Sequence, residues 1–208
     1  MMQITEIRPL DKKRSKIYID EELAFVLYKG EFRKFNICEG GEITVEDYDE
    51  ITHVILPKRA KLRAMNLLKS RLYSEKQLRD KLKDGDYPPQ VIDEAIEYVS
   101  SYNYINDRRL AEEYIRIHLQ DKSRMRIKQD LIGKGISSET IRAAFETCEE
   151  EGFGCDEAEQ IKRLLQKRNF DPSERSDLRE WNKQYAFLMR KGYSRDAISR
   201  VMGGSCDI

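Results

Sequence analysis

A sequence frame recurs three times along this chain, starting at Leu82, Leu131 and Leu188. In each copy the leucine is followed by three residues, then by Gly or Asp, by an apolar residue and by Ser or Pro. Further apolar residues come five and nine positions after that apolar residue. Gly and Asp tolerate the left-handed backbone conformation that ends many helices, whereas Ser and Pro favour the start of the next helix. The frame therefore predicts three pairs of helices, each joined by a tight turn.

The frame assigns a role to every position around the turn. The left-handed residues are predicted at Asp86, Gly135 and Gly192. The following apolar residue is expected to fold back over the helix that has just ended. Apolar pairs four residues apart share one face of the second helix; these pairs are Ile92 and Ile96, Ile141 and Phe145, and Ile198 and Met202.

Another helix is predicted before each copy of the frame. Ala64, Ala111 and Ala158 are 47 residues apart, and each is expected to open a helical stretch with an apolar residue three positions later. Each unit therefore contains three short helices. The third unit is longer, because 30 residues separate Ala158 from Leu188 against 18 and 20 in the first two units. We place the extra length in a polar loop around residues 171–175.

These units divide the chain into three helical modules, at residues 57–106, 107–155 and 156–208, and an N-terminal extension at residues 1–56. The expected fold class is mainly α, with three tandem helix-turn-helix-like modules. Charged residues make up 37% of the chain and hydrophobic residues 39%. Thin helical units fit both values, because they have much surface and little interior. The hydrophobic fraction is too large for a disordered chain.

The N-terminal extension contains two β-prone runs, at residues 16–20 and 23–28, with a polar turn between them. They predict a β-hairpin. Thr44 and Asp47 form a capping pattern that opens a short helix toward Ile51. Pro57 is expected to end this unit.

The overall charge argues against a generic polyanion binder, because 38 basic residues balance 38 acidic ones. Contact with nucleic acid would have to come from local basic patches. No apolar run approaches the ~20 residues of a membrane span, and the N-terminus has no apolar signal core. We therefore expect a cytoplasmic protein without a membrane partner.

The residues that could carry chemistry are few and scattered. Cys38, Cys148, Cys155 and Cys206 form no closely spaced pair, so reduced thiols are expected rather than a zinc site or disulfides. The two histidines, His53 and His118, have no recognisable catalytic partner motif, and no phosphate-binding or dinucleotide fingerprint is present. The sequence predicts a protein that is not an enzyme and that holds no cofactor or metal.

Several stretches resemble the RecX family of regulatory proteins. They are Ala64-Met65-Asn66-Leu67-Leu68 with Arg71 and residues 74–82, then Tyr104-Ile105-Asn106-Asp107 with residues 110–114, and Arg126-Ile127-Lys128-Gln129-Asp130-Leu131 with Lys134-Gly135-Ile136. The resemblance is close over residues 60–148 and looser over 156–203. One departure lies before the basic helix of the second module, where the family often has Lys-Gly and this chain has Asp121-Lys122-Ser123.

This resemblance implies three tandem three-helix modules in an elongated curved rod. It implies that the rod lies in the groove of the RecA–DNA filament and modulates, by inhibition, the activity of the RecA recombinase in DNA repair and recombination. We expect the chain to be a monomer. The alternative is a helical-repeat protein that binds DNA nonspecifically without a RecA partner. Operator recognition is disfavoured, because the candidate recognition helices at residues 90–97 and 138–145 are mostly acidic or apolar.

Three clusters of basic residues are the candidate contacts with RecA or DNA. They are Arg71, Arg79 and Lys81 in the first module, Arg124, Arg126, Lys128 and Lys134 in the second, and Lys183, Arg190, Lys191 and Arg195 in the third. The competing interpretation is that they form solvated helix faces. Tyr98, Tyr102 and Tyr104 could stack bases, but we expect them to be half-buried at a helix junction.

Overall fold

Helices form most of the chain in the computed structural model, which describes residues 2–172 and 178–203. The α-helices contain more than half of the residues, and a small antiparallel sheet lies at the N-terminal end. The chain divides into two units, Met1–Asn106 and Asp107–Ile208. The first unit contains the sheet and the first predicted module, and the second contains the other two modules.

The sheet has four strands in the order β3-β2-β1-β4. The strands are β1 (Met2–Pro9), β2 (Arg14–Ile19), β3 (Glu22–Tyr28) and β4 (Glu42–Ile43). The predicted hairpin is confirmed as β2 and β3. Strands β1 and β4 were not predicted from the sequence. In β1 a register shift between Ile4 and Glu6 breaks the two-residue alternation that identifies a strand, so the inward-facing Ile4 and the half-buried Ile7 are three residues apart.

The sheet packs on the first module, and both share one hydrophobic core. Thr44 begins α1 (Val45–Asp49), because its side chain accepts a hydrogen bond from the Asp47 N–H at 3.1 Å. The helix continues through a π-helical segment (Glu50–Ile55) into α2 (Leu56–Ser70). The expectation that Pro57 ends this unit is therefore wrong. Pro57 lies in the first turn of α2, directly after the π-helical segment, so the residue without an N–H coincides with the change in hydrogen-bond pattern inside one continuous helix.

Each module has the three predicted helices. The first module has α2, α3 (Glu75–Lys83) and α4 (Pro89–Ser101). The second has α5 (Asp107–His118), α6 (Arg124–Gly133) and α7 (Ser138–Glu150), and the third has α8 (Glu157–Gln166), α9 (Leu178–Arg190) and α10 (Arg195–Met202). The second and third modules have separate hydrophobic cores.

The repeated alanines lie in the first helix of each module, but Ala64 does not open α2, which begins at Leu56. Ala64 and Ala111 are fully buried and Ala158 is half-buried. The longer connection of the third module lies between α8 and α9, as expected. Of the predicted loop, positions 173–175 lie outside the described residues.

The three predicted turns have the same geometry. Asp86, Gly135 and Gly192 have φ values of 57°, 90° and 86°. In each turn the N–H of the next apolar residue donates to the carbonyl of the leucine five positions before it, at 3.2–3.4 Å. The leucine and the apolar residue of the sequence frame are therefore five positions apart because the hydrogen bond that ends the helix joins these two residues.

Candidate basic binding site

The second and third modules enclose a cavity of about 480 Å³. It lies between the loop that precedes α6 and the C-terminal end of α9. We call it the basic cleft, and its lining residues are Asp121, Lys122, Ser123, Arg126, Phe187, Arg190, Lys191 and Tyr193. Four of these side chains are cationic and one is anionic, so the cavity is positively charged in a chain whose net charge is zero.

The cations that the third module contributes to the basic cleft form no ion pair within residues 2–172 and 178–203. Arg190 and Lys191 are exposed, and the structure gives neither an ion-pair partner among the described residues. The Lys191 ammonium lies 5.7 Å from the centre of the Phe187 ring. The two charged groups are therefore available to an anionic ligand.

The cations from the second module share one carboxylate, that of Asp130. Lys122 Nζ donates to Asp130 Oδ2 and to the Tyr114 hydroxyl, both at 2.8 Å, and Arg126 Nε lies 3.2 Å from Asp130 Oδ1. The bonds to Asp130 and Tyr114 raise the pKa of Lys122 above its ordinary value. Burial raises the pKa of Asp130, but the hydrogen bonds from Lys122 and Tyr114 outweigh it, so this pKa is lowered. The Asp130 carboxylate thus holds the side chains of both Lys122 and Arg126 in place.

Ser123 joins the two walls of the basic cleft. Its hydroxyl accepts a hydrogen bond from the Arg126 N–H at 3.2 Å, which caps α6, and donates to the Lys191 carbonyl at 2.8 Å. Gly192 permits this approach, because a Cβ there would lie 2.8 Å from Ser123 Oγ. Lys122 and Ser123 were not among the predicted contact residues, although they lie in the Asp121-Lys122-Ser123 stretch that departs from the family pattern. A serine directly before a helix was the available signal.

The other cations of α6 face a different cavity. Arg124 and Lys128 line a space of about 380 Å³ beside α7. Arg124 pairs with Glu149 and lies 4.6 Å from the centre of the Phe145 ring, whereas no ion pair involves Lys128 in the described part of the chain. The predicted cluster is therefore divided between two faces of the helix.

The fourth predicted cation of the second module, Lys134, lies 5.3 Å from the Tyr114 ring centre.

The predicted cations of the first module are held in local contacts. Arg79 pairs with Glu75 at 2.8 Å and with Asp93 at 2.5 Å, and the Asp93 and Glu75 bonds raise its pKa. Lys81 pairs with Asp84 at 3.0 Å. Arg71 lies 4.4 Å from the Tyr73 ring centre. Carboxylates therefore compensate Arg79 and Lys81, whereas no ion pair involves Arg71 in the described part of the chain.

In the third module, the two remaining predicted cations lie outside the basic cleft. Lys183 on α9 pairs with Glu180 at 3.1 Å. Arg195 is exposed at the first position of α10, and no ion pair involves it among the residues described.

The tyrosines near the end of α4 are more accessible than expected. Tyr98 is half-buried, but the exposed fractions of Tyr102 and Tyr104 are 58% and 51%. The prediction that all three are half-buried is therefore wrong for two of them. Tyr102 contacts both others, with ring centres 5.1 Å from Tyr98 and 5.7 Å from Tyr104. Tyr98 packs against the first hydrophobic core, and Tyr102 and Tyr104 extend the ring contacts outward at the helix end.

The described residues contain no cluster of three side chains suited to a metal ion. Cys38, Cys148 and Cys155 carry free thiols, and Cys206 lies outside the described residues. Burial raises the pKa of the Cys148 thiol above its ordinary value. In the parts of the chain that are described, no helix combines the length and apolar character needed to cross a bilayer.

The fold and this site define a protein of tandem three-helix modules with basic side chains gathered between two of them. Family models for the first, second and third three-helix domains of RecX match residues 60–98, 106–144 and 156–202. A regulatory protein RecX from Clostridioides difficile is 30% identical over 191 residues, which cover 91% of this chain and 88% of the relative. The chain belongs to the RecX family of regulatory proteins.

Further relatives agree over nearly the whole length. The regulatory protein RecX of Caldanaerobacter subterraneus subsp. tengcongensis is 30% identical over 203 residues and covers 97% of this chain and 98% of its own. A crystal structure of RecX from Lactobacillus salivarius has a TM-score of 0.56 at 25% identity, over 71% of this chain and 95% of the other. Another crystal structure, of a regulatory protein RecX, has a TM-score of 0.62 at 24% identity over 98% of this chain and all of the other, and shows the shared fold.

Proposed function

We propose that this chain binds the RecA–DNA filament and inhibits RecA. Membership of a family of regulatory proteins supports a regulatory role. The observation that carries the proposal is a set of cations without ion-pair partners among the described residues, at Lys128, Arg190, Lys191 and Arg195 on the second and third modules. Uncompensated cations on a chain of zero net charge favour a polyanionic or acidic partner over self-association.

Several weak contacts on one chain would select the filament over free RecA. Once one module is bound, the next meets its site at a high effective concentration, provided that both sites can be engaged together. A filament presents the same binding site on each of its protomers, whereas a free RecA protomer presents the binding sites of one protomer only. Inhibition follows if protomers that are bridged in this way cannot reorient during ATP turnover.

The alternative is nonspecific DNA binding without RecA, and the same uncompensated cations favour it. The two functions differ in their dependence on salt and on RecA. Binding to phosphates alone weakens steeply as salt rises and needs no RecA. Binding to the filament requires RecA, and cosedimentation with RecA filaments against DNA alone separates the two.

The test is the inhibition of the DNA-dependent ATPase activity of RecA. We expect the wild-type chain to inhibit and the triple variant Arg124→Gln, Arg126→Gln and Lys128→Gln to inhibit less, with unchanged helicity by circular dichroism. Gln is preferable to charge reversal, because an acidic residue at position 124 would face Glu149.

The matched control removes three charges from the same unit at Arg108, Arg109 and Lys162, all outside the candidate clusters and all ion-paired. A wild-type chain that neither inhibits RecA nor sediments with its filament would refute the proposed function. Equal losses in the variant and the control would show that only net charge matters.

A further inference from the structure

We propose that the basic cleft is a binding site for a backbone phosphate of single-stranded nucleic acid. This inference deepens the proposed function, since a chain on the RecA–DNA filament would have bound DNA within reach, but it concerns a contact that needs no RecA. The cleft differs from the other basic surfaces because two modules contribute cations to one cavity. Arg126 and Arg190 come from helices whose sequence positions give no hint that they are neighbours.

The charge of the cavity matches a phosphodiester better than a protein carboxylate. Lys122 and Arg126 are partly compensated by Asp130, whereas Arg190 and Lys191 carry their full charge into the cavity. A carboxylate offers two oxygens and is satisfied by one guanidinium. A backbone phosphate can accept from a guanidinium and an ammonium together, and arginine is well suited to that geometry. The four cations exceed the two carboxylates at the site, Asp121 and Asp130, so a net positive charge remains for a ligand.

The shape of the site favours a single strand. A cavity of about 480 Å³ is concave, and a flexible strand can bend a phosphate into it. The phosphates of a rigid duplex lie on a convex surface, so they would reach only the rim of the basic cleft. Positively charged grooves that follow the backbone are the common means of holding single strands without sequence preference.

The site is organised before a ligand arrives. Lys122 is fixed by Asp130 and Tyr114, and the Ser123 hydroxyl ties the loop before α6 to the Lys191 carbonyl at 2.8 Å. The close approach at Gly192 fixes the spacing of the two walls at the level of the backbone. Binding therefore requires little ordering of the protein, which is one of the main costs of association.

The test measures binding of fluorescent single-stranded oligonucleotides, one of oligo-dT and one of mixed sequence, to the full chain without RecA. The variant is Arg190→Gln with Lys191→Gln, whose exposed side chains pair with no carboxylate among the described residues. We expect about a tenfold loss of affinity near 0.1 M salt, equal for both sequences. The slope of log affinity against log salt should become less steep by about 1, as for the loss of one phosphate contact.

The matched control is Lys167→Gln with Arg200→Gln, which removes two exposed cations of the third module that lie outside the basic cleft and outside the candidate clusters. It should bind as the wild type does, and circular dichroism should show the same helicity in all three proteins. The proposal is overturned if the wild type binds neither oligonucleotide, if the cleft variant binds as the wild type does, or if the control loses as much affinity.

RecA inhibition, measured in parallel, keeps this inference separate from the proposed function. A cleft variant that loses inhibition but retains oligonucleotide binding shows that the cleft contacts protein, which also overturns the phosphate assignment. A wild-type chain that binds oligonucleotides through the cleft but leaves RecA unaffected refutes the proposed function and supports the cleft.

Discussion

Asp86 shows how one turn position can be filled by different residues. Gly135 and Gly192 adopt positive φ without steric cost, whereas an aspartate at φ 57° lies in a conformation that L-residues enter reluctantly. The carboxylate of Asp86 accepts from Lys16 Nζ of β2 at 2.7 Å, with both side chains about three-quarters buried. The aspartate thus joins the sheet to the first module, and a glycine at the same position could not.

A substitution at Gly135 tests the turn geometry of the second module. Gly135→Val places a β-branched side chain at φ 90°. We expect the free energy of unfolding to fall by about 1 kcal/mol or more, because such residues resist positive φ. Chemical denaturation monitored by circular dichroism measures this change.

Gly133→Ala is the control at the same turn. Gly133 is the last residue of α6, and a Cβ there would have no atom within 4 Å. Alanine should leave stability unchanged or raise it by up to about 1 kcal/mol. If both variants were as stable as the wild type, the left-handed turn would not contribute to the fold.

At the scale of elements, serine caps begin the second helix of the first two modules and the third helix of the last two. Ser74, Ser123, Ser137 and Ser194 each accept a hydrogen bond from the N–H three residues later. Ser137 and Ser194 are exposed, but Ser123 is only 1% exposed and also donates to the Lys191 carbonyl. The cap at Ser123 therefore also connects two modules, whereas the caps at Ser137 and Ser194 lie at the surface.

The difference between two caps can be measured by replacing each with alanine. Ser137→Ala should lower the free energy of unfolding by about 1 kcal/mol, the usual cost of a lost N-cap. Ser123→Ala should cost about 1 kcal/mol more, because the Lys191 carbonyl also loses its donor. Equal losses in the two variants would mean that the bond to Lys191 adds nothing.

At the scale of the molecule, the N-terminal sheet and the first module form one structural unit. Ile17 and Phe25 from the sheet belong to the same buried cluster as Ala64 and Leu82 from the module. The helix that contains α1, the π-helical segment and α2 crosses the predicted boundary at residue 57 without a break. The four-segment division of the chain stays a prediction, and this continuity weakens its first boundary.

Two fragments test this unit. The fragment 1–106 retains the whole shared core and should unfold in one cooperative thermal transition. The fragment 57–106 lacks the sheet and exposes apolar surface that Ile51 and Phe25 cover, so it should show weak helicity without a sharp transition. Comparable cooperative melting of the two fragments, followed by circular dichroism, would show that the module is independent of the sheet.

Local features of this chain followed from its sequence because each depends on a few adjacent residues. The leucine frame encodes a hydrogen bond across five positions, and a serine cap needs only the N–H three residues later, so the helices and turns of all three modules were predictable. The sequence did not predict that Arg126 and Arg190 line one cavity. It also did not predict that the α6 cations divide between two cavities, or that β1 pairs with β2 and β4. These depend on how whole helices and strands pack, and the side chains involved lie up to 64 positions apart. Packing of the modules, rather than any local pattern, determines which charges remain uncompensated.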